Sequence, residues 1–255
     1  MTELSRSKNL SSSLEIVEGI TCFVGAGGKK SCMYTLANEL PGRVALTSTT
    51  RMYEYDEDRV DHVIRFSTRV SLDRERDKIE SSEVVAFAKS TETRKRVGGL
   101  SSDEVGALSQ DQRFNYVLVK ADGARARLVK APVGNEPLLP EKTELVVPLV
   151  SVRIVGRTLS SGIAHRPEKV ASIMRVGLND PITPENIARL LTSPEGALCG
   201  VGSTRVVPVI NMVDSDRLAT YGGQIASLAL SMTKRFDRIV LAQLAKNRVH
   251  RVFQR

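Results

Sequence analysis

Phe23-Val24-Gly25-Ala26-Gly27-Gly28-Lys29-Lys30-Ser31 joins two segments of different periodicity. Before it, residues 20–24 are an unbroken apolar run, the signature of a buried strand. After it, Cys32, Met33, Leu36, Ala37 and Leu40 recur at helical spacing until Pro41-Gly42. A glycine-rich turn between a strand and a helix lets backbone N–H groups turn inward and approach phosphate oxygens closely. The helix N-terminus adds unpaired donors and a positive dipole end. We therefore expect Gly25, Ala26, Gly27, Gly28, Lys29, Lys30 and Ser31 to bind phosphate. Lys29 would supply a compact charge. The spacing is not the common one. The position five before Gly28 is Phe23, and Lys30 stands where a magnesium-binding Ser or Thr is expected, so Ser31 serves the metal only if the loop shifts by one residue.

Working outward, strand patterns fall at residues 43–47, 62–66, 84–87, 116–119, 145–150, 206–210 and 238–241. Helical patterns lie between them: about 73–80, after Ser101, and near Pro167, Pro184 and Asp216. This alternation predicts an α/β fold of three layers, P-loop NTPase-like, with a mostly parallel sheet flanked by helices. Ligands in such a sheet sit at the carboxyl ends of the strands. We expect a flexible leader over residues 1–18, with a short helix near 13–17, and a single nucleotide-binding domain over 19–255.

Composition bounds the rest. The chain has 255 residues, 41% hydrophobic and 26% charged, enough for a core without disulfide staples. The spacing of Cys22, Cys32 and Cys199 matches no zinc site or redox pair. We read Cys22 and Cys32 as small core residues, consistent with a cytoplasmic location. No stretch is long and apolar enough to span a membrane. The net charge of +8 points to an anionic partner. Aromatic content of 4% with no Trp argues against single-stranded nucleic acid. The basic runs Arg94-Lys95-Arg96 and Arg125/Arg127/Lys130 are short.

Other segments supply candidate partners for the loop. Thr47-Ser48-Thr49-Thr50 ends a strand at the same sheet edge, where Thr49 and Thr50 would reach a metal-bound water. The alternative is a strand end of β-prone residues. Asp122, followed by Gly123, is placed either to hold Mg²⁺ with Ser31 or to bond its own turn backbone. Arg125, Lys130 and Arg166 are candidate anion-binding residues, for phosphates or a pterin phosphate. His165 is either a proton carrier or a structural donor. Asn211-Met212-Val213-Asp214 resembles the Asn-Lys-x-Asp element that reads guanine, with Met212 in place of lysine. Otherwise Asp214 or Ser215 caps the next helix.

Taken in order, several segments resemble the YqeC family. They are Gly25-Ala26-Gly27-Gly28-Lys29, Thr47-Ser48-Thr49-Thr50, the run from Tyr116 through Asp122-Gly123-Ala124-Arg125, Lys130-Ala131-Pro132, Asn135-Glu136-Pro137 and His165-Arg166-Pro167-Glu168. The resemblance covers about residues 19–244. It implies an accessory protein of selenium-dependent molybdenum hydroxylases, or of selenium-cofactor biosynthesis, with a nucleotide (ATP or GTP) and Mg²⁺ as ligands and a molybdenum hydroxylase or its cofactor as partner. Four positions depart from the family pattern: Lys30 for Thr, Arg51 for His, Lys120 for Glu and Met212 for Lys. Lys30 and Lys120 replace metal-serving groups with cations, lowering metal affinity and raising affinity for bare phosphate. The chemistry is then Mg²⁺-assisted phosphoryl or nucleotidyl transfer through Lys29, Asp122, Thr49 and Thr50, with Asn211 and Asp214 on the base. The alternative is a catalytically inactive nucleotide-gated adaptor or anion-binding protein.

Overall fold

The computed structural model describes residues 9–67, 72–93 and 95–255. The chain opens with helix α1 (Leu10–Leu14), strand β1 (Gly19–Gly25), α2 (Lys29–Ala37), β2 (Val44–Ser48) and β3 (Met52–Tyr53). It continues through β4 (His62–Phe66), α3 (Arg76–Glu80), β5 (Val84–Lys89), β6 (Arg96–Val97), α4 (Ser102–Gln110), β7 (Tyr116–Lys120) and β8 (Val129–Lys130). Then come β9 (Thr143–Ser151), β10 (Ala164–His165), α5 (Pro167–Met174), α6 (Pro184–Thr192), β11 (Arg205–Val206) and β12 (Val209–Asn211). The helix α7 (Asp216–Met232) and strands β13 (Arg238–Gln243) and β14 (Arg248–Gln254) close it.

The main sheet runs β14-β13-β12-β9-β1-β7-β2-β5-β4, with β11 also on β9. Its pairings are parallel except β13 with β14. Parallel strands are covered on both faces and read as continuous apolar runs, as in Tyr116–Lys120, buried throughout. Along β1 the faces alternate. Ile20, Cys22 and Val24 join the core under α3 to α7, whereas Phe23 joins the core under α1 and α2. The architecture is thus three layers, helix–sheet–helix, as the alternation of patterns predicts. No helix among the described residues is long and apolar enough to cross a membrane.

Caps place several helices where the sequence puts them. Ser101 and Glu104 form a reciprocal capping box on α4, as do Thr183 and Asn186 on α6. Proline starts α5 and α6.

Three details differ from expectation. The run 206–210 is two short strands, because Pro208 between them has no N–H to donate. β14, an antiparallel edge strand, went unrecognised: from Arg248 to Gln254 the alternation of polar and apolar residues breaks at His250-Arg251 and Val252-Phe253. The leader is packed rather than frayed from Asn9 onward, and its helix begins three residues earlier than expected. Asn9 caps α1, Leu10 and Leu14 are buried, and Arg205 donates to the Leu14 and Glu15 carbonyls at 2.7 and 2.8 Å. Residues 1–8 of the leader and Arg94 of the basic run lie outside the described residues.

Candidate functional site: a cationic cavity over the glycine loop

Parallel registry brings the carboxyl ends of β1, β2, β7, β9 and β12 to one edge: Ser48 pairs with Lys120, Gly25 with Leu149 and Asn211 with Ser151. The glycine loop leaves the sheet there. Gly25 has φ +83°, and a Cβ on it would meet the Leu149 carbonyl oxygen at 2.4 Å. Gly28 has φ +126°, and its Cβ would meet Asn211 Nδ2 at 2.3 Å. Both positions require glycine on conformational and steric grounds.

The Ala26 N–H donates to the Leu149 carbonyl, and the first bond of α2 runs from Cys32 N to Gly28 O, each at 2.9 Å. Between them, the N–H groups of Gly27, Gly28, Lys29, Lys30 and Ser31 find no acceptor among the described residues, and α2 has no side-chain cap. All five residues line a cavity of about 530 Å³. Its wall also holds Arg51, Arg96, Lys120, Arg125, Arg127 and Arg166. Glu136 is the one carboxylate among its described lining residues. A larger open groove of about 980 Å³, between α6, α7 and β14, contains none of these residues.

Beneath the loop runs an alternating chain of charges. Lys29 Nζ lies 2.9 Å from Asp122 Oδ1 and also donates to the Gly25 carbonyl. Asp122 Oδ2 accepts from Gly25 N at 2.8 Å and faces Lys130 Nζ at 3.0 Å. Lys130 Nζ reaches Glu136 Oε2 at 2.8 Å, and Arg166 Nη1 reaches the same oxygen at 2.7 Å. Burial pulls the Lys29 pKa down against the opposing pull of Asp122. Glu136 is held down to about 2: burial would raise it, but Arg166 and Lys130 outweigh that. Each buried charge therefore has a partner, the condition under which burial is tolerated.

Lys120 is the exception. It is 9% exposed and lines the cavity, and its Nζ donates to the neutral Thr50 hydroxyl at 3.1 Å. Burial, with repulsion from Lys29, lowers its pKa to about 8.

The structure separates other candidates. Lys30 turns away from the loop, donating to the Glu54 carbonyl at 2.8 Å and pairing with Asp56 at 3.2 Å. Ser31 and Thr50 line the cavity, but the Thr49 hydroxyl donates to the Leu138 carbonyl at 2.9 Å and Thr49 is outside the lining. Arg125 and Arg166 line it, whereas Lys130 lies beneath, committed to two carboxylates. Lys130 therefore offers no free charge to an anion, contrary to expectation. His165 also lines the cavity, with Nδ1 buried and unpartnered among the described residues. Burial and the neighbouring Arg166, Lys130 and Arg125 lower its pKa, which keeps the ring neutral at pH 7.

Asn211 and Asp214 lie outside the lining. Asn211 Nδ2 donates to the Gly27 carbonyl at 2.8 Å, and its Oδ1 accepts from Leu244 N at 3.1 Å, so it braces the loop. Asp214 pairs with Arg153 and accepts from Gln243 Nε2 at 2.9 Å, which occupies both carboxylate oxygens. Lys120 and Glu136 are the residues whose importance sequence reasoning understated. Lys120 stood out only as a departure from a family pattern, and Glu136 only as part of a quoted motif.

The donor set does not fit a protein-held Mg²⁺. That ion asks for hard oxygens at about 2.0–2.1 Å in octahedral array. Here both Asp122 oxygens already face ammonium groups, and Glu136 is likewise paired with Lys130 and Arg166.

With that geometry in hand, comparison with known proteins is direct. The sequence profile described as YqeC protein matches residues 21–168, more than half of the chain and including the loop, Asp122, Glu136 and Arg166. The chain belongs to the YqeC family. It is 26% identical over 181 residues to the uncharacterized protein YqeC of Escherichia coli (strain K12), covering 70% of this chain and 69% of that one. The crystal structure of HypB from Helicobacter pylori in complex with nickel covers 93% of this chain and 84% of its own, at 12% identity and a TM-score of 0.38. That likeness is too slight to carry chemistry across. Beside the YqeC family pattern, Lys120 and Lys30 differ in consequence. Both lysines line the cavity, but the Lys120 ammonium rests on the neutral Thr50 hydroxyl, whereas the Lys30 ammonium is held by the Glu54 carbonyl and Asp56.

Proposed function

We propose that this YqeC-family chain binds a nucleoside polyphosphate, ATP or GTP, with its phosphates on the amides of residues 27–31, as an accessory protein in the maturation of a selenium-dependent molybdenum hydroxylase. The observation that carries the binding is the set of unpartnered N–H groups at the start of α2, opening on a cavity rich in lysine and arginine. Oriented amides at a helix N-terminus favour phosphate on both hydrogen-bond and dipole grounds. Polyphosphate would also draw the Lys29 ammonium out of its contact with the Gly25 carbonyl. The role in hydroxylase maturation rests on the family resemblance.

Binding without turnover is the reading the charges favour. The carboxylates near the loop, Asp122 and Glu136, are each bound by two cations, which leaves neither to orient an attacking water. A nucleotide-gated adaptor needs no such group.

Calorimetric titration with ATP and GTP tests this, using Ser31→Glu as the comparison. An acidic side chain in the first turn suits the helix, so the variant stays folded, yet it places a negative charge in the phosphate position. The native protein should bind and release no inorganic phosphate, and Ser31→Glu should not bind. A native protein that binds neither nucleotide contradicts the proposal.

A further inference from the structure

Resting on the nucleotide reading, we infer that the cavity takes the polyphosphate free of divalent metal, with the Lys120 ammonium in the electrostatic place of the ion.

A polyphosphate entering a recessed site must have its charge compensated. The usual solution is Mg²⁺ bridging phosphate oxygens and protein oxygens. That solution is obstructed here at the protein side. Asp122 Oδ1 faces Lys29 at 2.9 Å, and Oδ2 faces Lys130 at 3.0 Å and the Gly25 amide at 2.8 Å. Even when a phosphate draws Lys29 toward itself, Lys130 and the Gly25 amide stay on Oδ2, so a divalent ion on this carboxylate would still sit against an ammonium. Glu136 is bound in the same way by Lys130 and Arg166 at 2.8 and 2.7 Å.

The cavity meanwhile carries cations that form no salt bridge among the described residues. Lys120, at the end of β7 and two residues before Asp122, has its ammonium on a neutral hydroxyl, Thr50 Oγ1. Arg51 bonds the Thr93 hydroxyl at 2.9 Å, and Arg96 lies over the Tyr53 ring with its carbon 4.6 Å from the centroid. A buried cation without a counter-ion is costly unless a ligand supplies one. Bare ATP or GTP supplies more negative charge than its magnesium complex does, so it matches this wall better. Lys120 is then a specificity-determining residue: it selects the metal-free form. A carboxylate at the same position would instead favour a metal.

The experiment compares nucleotide affinity by calorimetry in EDTA and in excess MgCl₂, for the native protein, Lys120→Gln and Lys120→Glu. Native protein should bind ATP or GTP in EDTA, and MgCl₂ should weaken binding at least about tenfold, the loss expected when a charge-assisted contact is forfeited. Lys120→Gln should weaken the EDTA affinity by a similar factor and flatten the magnesium effect. Lys120→Glu should reverse its sign. Binding by native protein only with MgCl₂, or equal binding in both buffers, overturns this inference while leaving nucleotide binding in place. Binding in neither buffer overturns the parent reading as well. Because the comparison within the native protein decides by itself, a variant that fails to fold does not rescue the inference.

Discussion

Replacing Lys120 by methionine should make the unliganded protein more stable and a poorer ligand binder. Moving the ammonium's pKa from 10.5 down to about 8 costs the folded state about 3 kcal/mol at pH 7. Methionine keeps the length and apolar stem of the side chain and removes the charge. It also removes the hydrogen bond to Thr50, worth about 1 kcal/mol. The balance is a gain of about 2 kcal/mol, or roughly 4–8 °C in Tm for a domain of this size. The pH dependence follows from the sign of the shift. Between about 8 and 10.5 the unfolded chain holds the proton and the folded chain has lost it, so native stability rises across that window. Thermal unfolding of both proteins at pH 7 and at pH 10 measures this. The advantage of Lys120→Met should be full at pH 7 and shrink at pH 10. An unchanged or lower Tm at pH 7, or an advantage independent of pH, would refute the argument that Lys120 is a buried cation held against its own solvation.

Asn211→Ala leaves the Gly27 carbonyl and the Leu244 amide without their partner, so it should cost roughly 2–4 kcal/mol in urea unfolding and speed hydrogen exchange in the loop. Asp214→Ala should leave the ratio of ATP to GTP affinity unchanged, because its oxygens are bound by Arg153 and Gln243; a selective loss of GTP would show base recognition instead. The Glu136 pKa is lowered from 4.5 to about 2, so its stabilising contribution is full above pH 4.5 and is lost as pH falls toward 2. Acid unfolding of Glu136→Gln should lack that part of the transition.

The layers and the loop were readable because local signals there agree with the tertiary outcome. The apolar run 20–24 between two glycines became β1, the β-prone run 116–119 became β7, and Ser101 with Glu104 announced the start of α4. The start of the chain misled because Leu10 and Leu14 sit among polar residues. What pins α1 is Arg205, nearly two hundred residues away, which no local pattern can reveal. The same limit applied at the site. Spacing located Lys29 and Asp122 but not their partners. That Lys130 is spent on Asp122 and Glu136, that Lys30 leans toward Asp56, and that Thr49 turns to Leu138 are all consequences of long-range packing. Residue type could not say which neighbour would claim each group.

Amide chemical shifts of ¹⁵N-labelled protein during addition of ATP bear most directly on the loop's role. The backbone resonances of Gly27, Gly28, Lys29, Lys30 and Ser31 should move furthest, and downfield, as each N–H acquires a phosphate acceptor. If those five stay in place while ATP saturates the protein, or if ATP leaves the whole spectrum unchanged, the phosphates do not rest on this loop.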